Sequence, residues 1–435
     1  MKHDWMIALA ALLALPLCVM NAGQTPASQP DSVRLGTLHH DAVAHDPRQR
    51  QFGLLGRQTD LRLTNLAFER LPAISGETQA QYQSTVFTAP PGIPFPSPSK
   101  DMYDSRVTVD QPILAPTISP RRATERARLA ESEAQVRTTL FGLRQEVNDA
   151  FFTVALLEKR IAIVAVTITD LERRLRETAE RVHAGAALPG DTAAVRATLL
   201  QRRQDEVEYH ASRRAALARL TQLTGRSALE DAVMALPDLA EDVAQARHRL
   251  EDLRTRPEYE HFARTRDRLA REEDEVAASL WPELSAFATA GRGRPGLSPI
   301  SNRFDSYLVA GVKLTWAPWT WGSQGRDRQA LTLQRDIVAA DEAAFAKGLT
   351  RSIQEDLATI DRMDTTLSMD DQIITLRERV ESETRRRFEE GVVTASEYLD
   401  RSTDVLEARL AQATHRVELV QARARLLTTL GLEIP

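Results

Sequence analysis

Apolar residues return every three or four positions through Val136, Leu140, Leu143, Val147, Ala150, Val154, Leu157, Ile161, Val164, Ile168, Leu171, Leu175, Thr178 and Val182. A seam sustained over so many heptads predicts one coiled-coil helix spanning about 119–184. At 1.5 Å per residue that helix would run ~100 Å, longer than any globular core. A return helix over about 191–224 carries Val195, Leu199, Val207, Leu217, Leu220 and Leu223 and can fold back after Gly185–Gly190. One hairpin cannot cover its own seam, so it must pack on another hairpin or on another chain.

A period of two governs four short segments. Thr78, Ala80, Tyr82, Ser84 and Val86 alternate with Gln79, Gln81, Gln83 and Thr85, and Val107 and Val109 alternate with Arg106, Thr108 and Asp110. Leu284, Ala286, Ala288 and Ala290 point away from Ser285 and Thr289. Leu308, Ala310, Val312, Leu314 and Trp316 point away from Lys313 and Thr315. Small-apolar against polar alternation over about ten residues is the pattern of a membrane β-strand with a wet lumen face. The strands come as two hairpins, joined by the proline-rich Ala89–Ser99 and by Gly291–Arg303, loops that belong outside a sheet. Trp281, Trp316, Trp319 and Trp321 fall at the helix-side strand ends, as an interfacial aromatic girdle would; packing at the strand–helix junction is the blander reading. Four strands cannot close a barrel and lipid tolerates no unpaired edge, so copies of the chain must assemble.

The chain is written twice. With Pro112 laid on Pro318, Arg122 meets Arg328, Glu177 meets Glu383, Arg181 meets Arg387, Gly185 meets Gly391, Arg219 meets Arg425 and Gly225 meets Gly431. So long a gapless register announces a duplicated architecture. The first repeat is 46–225: a short helix, strands about 73–87 and 104–114, and helices about 119–184 and 191–224. A connector follows over 226–256. The second repeat is 257–431: a helix about 257–281, strands about 283–291 and 305–317, and helices about 323–390 and 394–430.

Composition agrees with long helices: 435 residues, 42% hydrophobic, only 5% aromatic and 27% charged. The net charge of −5, with both signs interleaved, gives no footprint for nucleic acid. Met1, Lys2 and His3 precede the apolar run Met6–Met20 and the polar Asn21–Asp31, the layout of a secretory signal over 1–22. The run is shorter than the ~20 residues of a membrane span, and Leu17 with Pro16 does not fit a lipoprotein site at Cys18. Since Cys18 is the only cysteine, the exported chain would hold none, which suits an oxidising compartment. Residues 23–45 read as a flexible extension, and His39, His40 and His45 within it as disordered rather than as a metal site.

From about Asp46 onwards the chain resembles the TolC-type outer-membrane efflux proteins. The turn Arg387-Phe388-Glu389-Glu390-Gly391-Val392-Val393-Thr394-Ala395-Ser396-Glu397-Tyr398-Leu399-Asp400 is similar to the family's hairpin tip, and Arg181-Val182-His183-Ala184-Gly185 with Asp191 resembles it more loosely. The resemblance implies a mainly α fold with a small membrane β part. Its homotrimer would join a twelve-stranded β-barrel in the outer-membrane lipid to a periplasmic α-helical barrel. It also implies an exit duct of a tripartite efflux or secretion system, fed by an inner-membrane pump through a periplasmic adaptor.

By position, Asp191, Glu397, Asp400 and Phe388 match the family's tunnel-closing end, where threefold symmetry would make rings of carboxylates that attract cations. Acids are also favoured in the first turn of any helix, which leaves a plain helix-start reading open. Arg181, Gly185, Ala186, Leu188, Arg387, Gly391, Val392 and Val393 match the adaptor-docking tip, where Ala187 would add an apolar contact. Val393 stands where a basic residue is common and Phe388 where Tyr is commoner, a departure from the polar latch of some members.

Catalytic motifs are absent: no phosphate loop, no His-Glu-x-x-His and no serine elbow. The expectation is therefore transport without chemistry and without a cofactor. A periplasmic coiled-coil adaptor or scaffold is the alternative, but it needs no alternating segments with Trp at their ends.

Overall fold

A computed structural model describes residues 32–86, 99–227, 229–230, 232–248, 255–298 and 302–434. The expected signal peptide, most of the proline-rich connection and part of the connector lie outside them.

Four strands form one antiparallel sheet in the order β2–β3–β5–β6, where β2 is Ala73–Tyr82, β3 Asp101–Leu114, β5 Glu283–Arg294 and β6 Asp305–Thr315. The two repeats meet at β3 and β5, in a register that pairs Val107 with Ala290 and Thr108 with Thr289. Antiparallel partners share a face, so the register sorts the sheet into two sides. Ile74, Val107, Val109, Ala288, Leu308 and Val312 stand on one; Glu77, Asp104, Arg106, Thr108, Thr289 and Lys313 stand on the other. The apolar side is bare: Leu308 is 72% and Val312 70% exposed. On the polar side, glycines admit the rings opposite them. Tyr307 lies over Gly291, where a Cβ would come within 2.4 Å of the ring, and Phe287 lies over Gly311.

Beneath the sheet, α2 (Arg50–Phe68), α3 (Ile118–Phe141), α7 (Pro257–Ala278) and the upper half of α8 (Ser323–Glu389) stand side by side in that order. This layer is one helix thick and its apolar core is small: α7 buries only Leu269, and α3 sets Val136 and Leu140 against Phe52 and Leu55 of α2. Ion pairs stitch it instead, among them Arg268–Glu131 at 2.6 Å, Arg128–Glu272 at 2.9 Å and Arg335–Glu273 at 2.8 Å. Such partly exposed pairs contribute ~0–1 kcal/mol each.

The long helix of the first repeat is interrupted at Gly142, giving α3 and then α4 (Leu143–His183). Thr138 and Thr139 turn their hydroxyls onto the carbonyls of Ala134 and Gln135, and the glycine follows directly. Back-bonding of this kind bends helices, and glycine offers the least resistance. In the second repeat the corresponding Gly348 lies inside α8, which runs unbroken for 67 residues, ~100 Å at 1.5 Å per residue.

The return helices are α5 (Pro189–Thr224) and α9 (Ala395–Thr429). Both turns use a glycine in the left-handed region, Gly185 at φ 70° and Gly391 at φ 76°. Each closes a Schellman motif: Ala186 N–H donates to Arg181 O and Val392 N–H to Arg387 O, both at 2.8 Å.

The main core lies midway along the helices, where Val147, Phe151 and Val154 of α4 meet Leu220, Ile353, Leu426 and Leu427. The N-terminal reading must be corrected here. From Ser32 to His45 the chain is ordered, as β1 (Ser32–Val33), paired parallel to β4 (Val233–Met234), and α1 (Leu35–His45). Leu35, Leu38 and Ala42, at helical spacing, are almost wholly buried in the main core. His39 is buried with them and bonds Asn148 through Nε2 at 2.8 Å, while Asn148 donates to Thr428 at 3.0 Å.

Burial is the largest influence on His39 and pushes its imidazole down to about 4. The group is neutral at pH 7, and as pH falls through 6.5 the unfolded chain takes up the proton first. Stability is therefore expected to decline between about pH 6.5 and pH 4, by ~3 kcal/mol in all, and then to level off. Urea unfolding of the chain and of His39→Gln across this range checks the point; an equal slope in both would assign the acid sensitivity elsewhere.

Candidate functional site

The two hairpin turns share one core. Val164, Ile168 and Leu171 of α4 and Val195 and Leu199 of α5 pack with Phe388, Ala395, Tyr398 and Leu399 of the second hairpin. Phe388 and Tyr398 stack, with 5.6 Å between centroids and 12° between planes. A guanidinium from the first hairpin covers each ring, Arg181 at 5.3 Å from Phe388 and Arg174 at 4.8 Å from Tyr398. Each such contact contributes ~0.5–2 kcal/mol. Burial pushes the Tyr398 phenol up, so the stack holds a neutral ring.

Side-chain to backbone bonds complete the joint. Arg181 donates to the carbonyls of Phe388 at 3.2 Å and Glu389 at 3.1 Å, at the negative end of α8. Asp191 accepts the Leu188 N–H at 3.0 Å and the Ala395 N–H at 3.2 Å. One carboxylate therefore sits between the starts of α5 and α9, where both helix dipoles are positive. Thr394 caps α9 by accepting the Glu397 N–H at 3.3 Å.

This geometry redistributes the residues expected at a gate. Phe388 is only 7% exposed and belongs to the shared core, and both oxygens of Asp191 are held by backbone N–H groups. Glu397 and Asp400 lie exposed, one turn apart on α9, and neither has an ion pair among the described residues. Of the expected docking residues, Gly185, Ala186, Leu188, Arg387, Gly391 and Val392 are exposed, Leu188 at 67% and Val392 at 70%. Arg181 is half-buried in its clamp and Val393 half-buried against the core. Arg174 was not expected at the site, and Tyr398, part of the tip motif, was given no role there. Tyr398 carries one legible signal, its helical spacing with Ala395 and Leu399; Arg174 carries none.

At the opposite end all four expected tryptophans are exposed, Trp321 at 82%. Trp316 donates from its ring N–H to Leu280 O at 3.0 Å, and Trp319 meets Trp321 edge-on. Trp321 has φ 52°, the only non-glycine in the left-handed region among the described residues. No helix among them is long and apolar enough to cross a membrane, and no cluster of metal ligands occurs.

Comparison with known proteins gives this geometry its context. No match is found among curated protein sequences. Solved structures with the same fold include the outer membrane protein VceC of Vibrio cholerae, 13% identical, with a TM-score of 0.67 over 92% of this chain and 97% of that one. The CmeC outer membrane channel of Campylobacter jejuni is 14% identical, with a TM-score of 0.64 over 91% and 85%. The MtrE outer membrane channel of Neisseria gonorrhoeae, solved in its open state, is 16% identical, with a TM-score of 0.64 over 92% and 89%. The outer membrane efflux protein family matches residues 68–226 and 263–432, most of the described structure. The chain thus belongs to the outer membrane efflux protein family, whose members are outer-membrane channels and not enzymes.

Proposed function

We propose that three copies of this chain close a twelve-stranded barrel in the outer membrane, continued into the periplasm by a tube of their helices, and that the assembly is the exit duct of a tripartite pump. The observation that carries the reading is a sheet with one bare apolar face and two edges that no described strand pairs. Edge strands β2 and β6 lie above edge helices α2 and α8, so both layers open at the same sides. Those sides expose Leu54 and Leu61 on α2 and Leu333 and Ile337 on α8, surface that a neighbouring copy would cover.

The apolar face also has membrane dimensions. From the rim at Tyr103 to Ile113, β3 runs ~33 Å at 3.3 Å per residue, ~25 Å of height at a tilt of about 40°, as in such barrels; apolar rows from Val107 to Ile113 fill ~15 Å of it, and the rows of Ser105 and Tyr103, opposite Arg292 and Arg294, form its outer margin. Aromatic residues bound it, Tyr82, Tyr103 and Phe304 at one end and the four tryptophans at the other. The left-handed backbone at Trp321 costs ~1–3 kcal/mol and holds that indole outward, which suits an interfacial anchor.

The hairpin tips then form the inner end of the duct. Glu397 and Asp400, exposed and without an ion pair among the described residues, supply a cation-attracting constriction, while Leu188, Val392 and the glycine turns supply an apolar surface for a periplasmic adaptor. In planar bilayers the assembly is expected to show a small cation-preferring conductance, and Glu397→Gln with Asp400→Gln to remove the preference. Unchanged selectivity would sink the assignment of these acids, and a failure to conduct at all would sink the duct.

A further inference from the structure

Two arginines on the apolar side of the sheet have no acidic partner among the described residues. Arg292 and Arg294 continue the alternation of Ala286, Ala288 and Ala290 in β5, which sets them on the same face, past its last apolar row and at the end far from the helices. Arg292 is exposed, flanked across the strands by Ser105 and Ser306. The Arg294 guanidinium lies between two rings, 5.3 Å from the centroid of Tyr103 and 5.4 Å from that of Phe304. It donates to the Asp101 carbonyl at 3.2 Å, and its Nε is buried without a hydrogen-bond partner.

Charge on the other face is managed differently. There Arg106 is paired with Glu77 at 2.7 Å and with Asp104 at 3.4 Å. The connecting segments bring no acid to the unpaired arginines, because neither Asp nor Glu occurs from Thr78 to Lys100 or from Pro295 to Phe304. An arginine on a lipid-facing strand is tolerated only close to the interface, and there the available counter-charge is the headgroup layer. A guanidinium fork matches phosphate in bidentate geometry, and aromatic rings settle at headgroup depth.

We propose that Arg292 and Arg294 hold the phosphate of an anionic lipid in the outer leaflet, with Tyr103 and Phe304 packed beside it. The inference rests on the barrel reading for which face meets lipid, and adds to it a specific lipid site.

The test takes the full chain, assembled in detergent, and counts lipid adducts by native mass spectrometry during titration with phosphorylated lipid A, dephosphorylated lipid A or inorganic phosphate. The double variant Arg292→Gln/Arg294→Gln is expected to hold phosphorylated lipid A roughly tenfold more weakly, with Arg294→Lys in between. Arg106→Gln, on the other face, is expected to bind as the unaltered chain does. Dephosphorylated lipid should not distinguish the variants, and inorganic phosphate should not displace the lipid. Equal adducts in the unaltered chain and both arginine variants would overturn the proposal, as would displacement by inorganic phosphate, which would mark a plain anion site. Nitroxide labels on Leu308→Cys and Lys313→Cys in vesicles separate the two levels of failure. If both report water, the face assignment falls and the lipid site with it; if the Leu308 label reports lipid while adducts are unchanged, only the lipid site falls.

Discussion

Lysine in place of Val312 is expected to abolish stable assembly in the membrane, while lysine in place of Thr289 is expected to be tolerated. Val312 is 70% exposed in the middle of the apolar side and pairs with Ala286. Thr289 faces the opposite way and shares a 3.0 Å hydroxyl contact with Thr108. On the face proposed to meet lipid, a lysine near the bilayer midplane costs ~2–4 kcal/mol per strand, and the proposed threefold assembly repeats the cost to roughly 10 kcal/mol, comparable with the whole stability of a domain. On the face proposed to line the lumen the same charge stays hydrated, and the loss of one hydroxyl contact is worth ~1 kcal/mol. Heat-modifiable migration on gels and recovery in outer-membrane vesicles read both variants. If Thr289→Lys fails as badly as Val312→Lys, the sheet is not a two-faced membrane wall.

Periodicity carried the helices because a helix buries one stripe and the stripe is written in the sequence. Every position of the long seam is buried except Ile161, Leu175 and Val182, which are half-buried; even Ala150 and Thr178, the weak members, lie inside. Alternation located the strands for the same reason, although β3 begins at Asp101 and β5 extends to Arg294, where polar residues hide the pattern. What periodicity does not report is which element covers a stripe. The packing of α3 on α7 and the sharing of one tip core by both hairpins are contacts between repeats, and no spacing within one repeat encodes them.

Local chemistry explains the remaining differences. The segment containing α1 is short and rich in histidine, so its three core positions, Leu35, Leu38 and Ala42, do not stand out from a polar background. At Gly142 the glycine follows directly on two back-bonded threonines, whereas in α8 Gly348 and the back-bonded pair Thr365 and Thr366 stand apart and the helix is unbroken. The acids of the tip motif look equivalent in the sequence, yet Asp191 is drawn between two helix starts while Glu397 and Asp400 are left to solvent. Their difference comes from the neighbouring hairpin and not from the motif.

Loss of the Tyr398 ring is expected to loosen the tips without unfolding the chain. Tyr398 is 2% exposed, stacked on Phe388 and covered by Arg174. Removing a buried aromatic side chain costs ~3–5 kcal/mol, and the cavity left by Tyr398→Ala also strips Arg174 of its ring. The tip core is separate from the main core, which holds α4 and α9 together nearer the middle of the molecule through Val147, Val154, Leu426 and Leu427. The opening should therefore be local. Hydrogen exchange at the backbone N–H groups of 388–399 and 188–199 is expected to speed up by about two to three powers of ten, while protection near Phe151 and Leu426 is retained. Tyr398→Phe keeps the stack and should change little. In bilayers the alanine variant should conduct more than the unaltered chain, because the bonds of Arg181 and Asp191 that cross between hairpins would lose the packing that aligns them. Equal loss of protection at both cores would show that the tips are not an independent unit, and an unchanged conductance with loosened tips would place the constriction elsewhere in the duct.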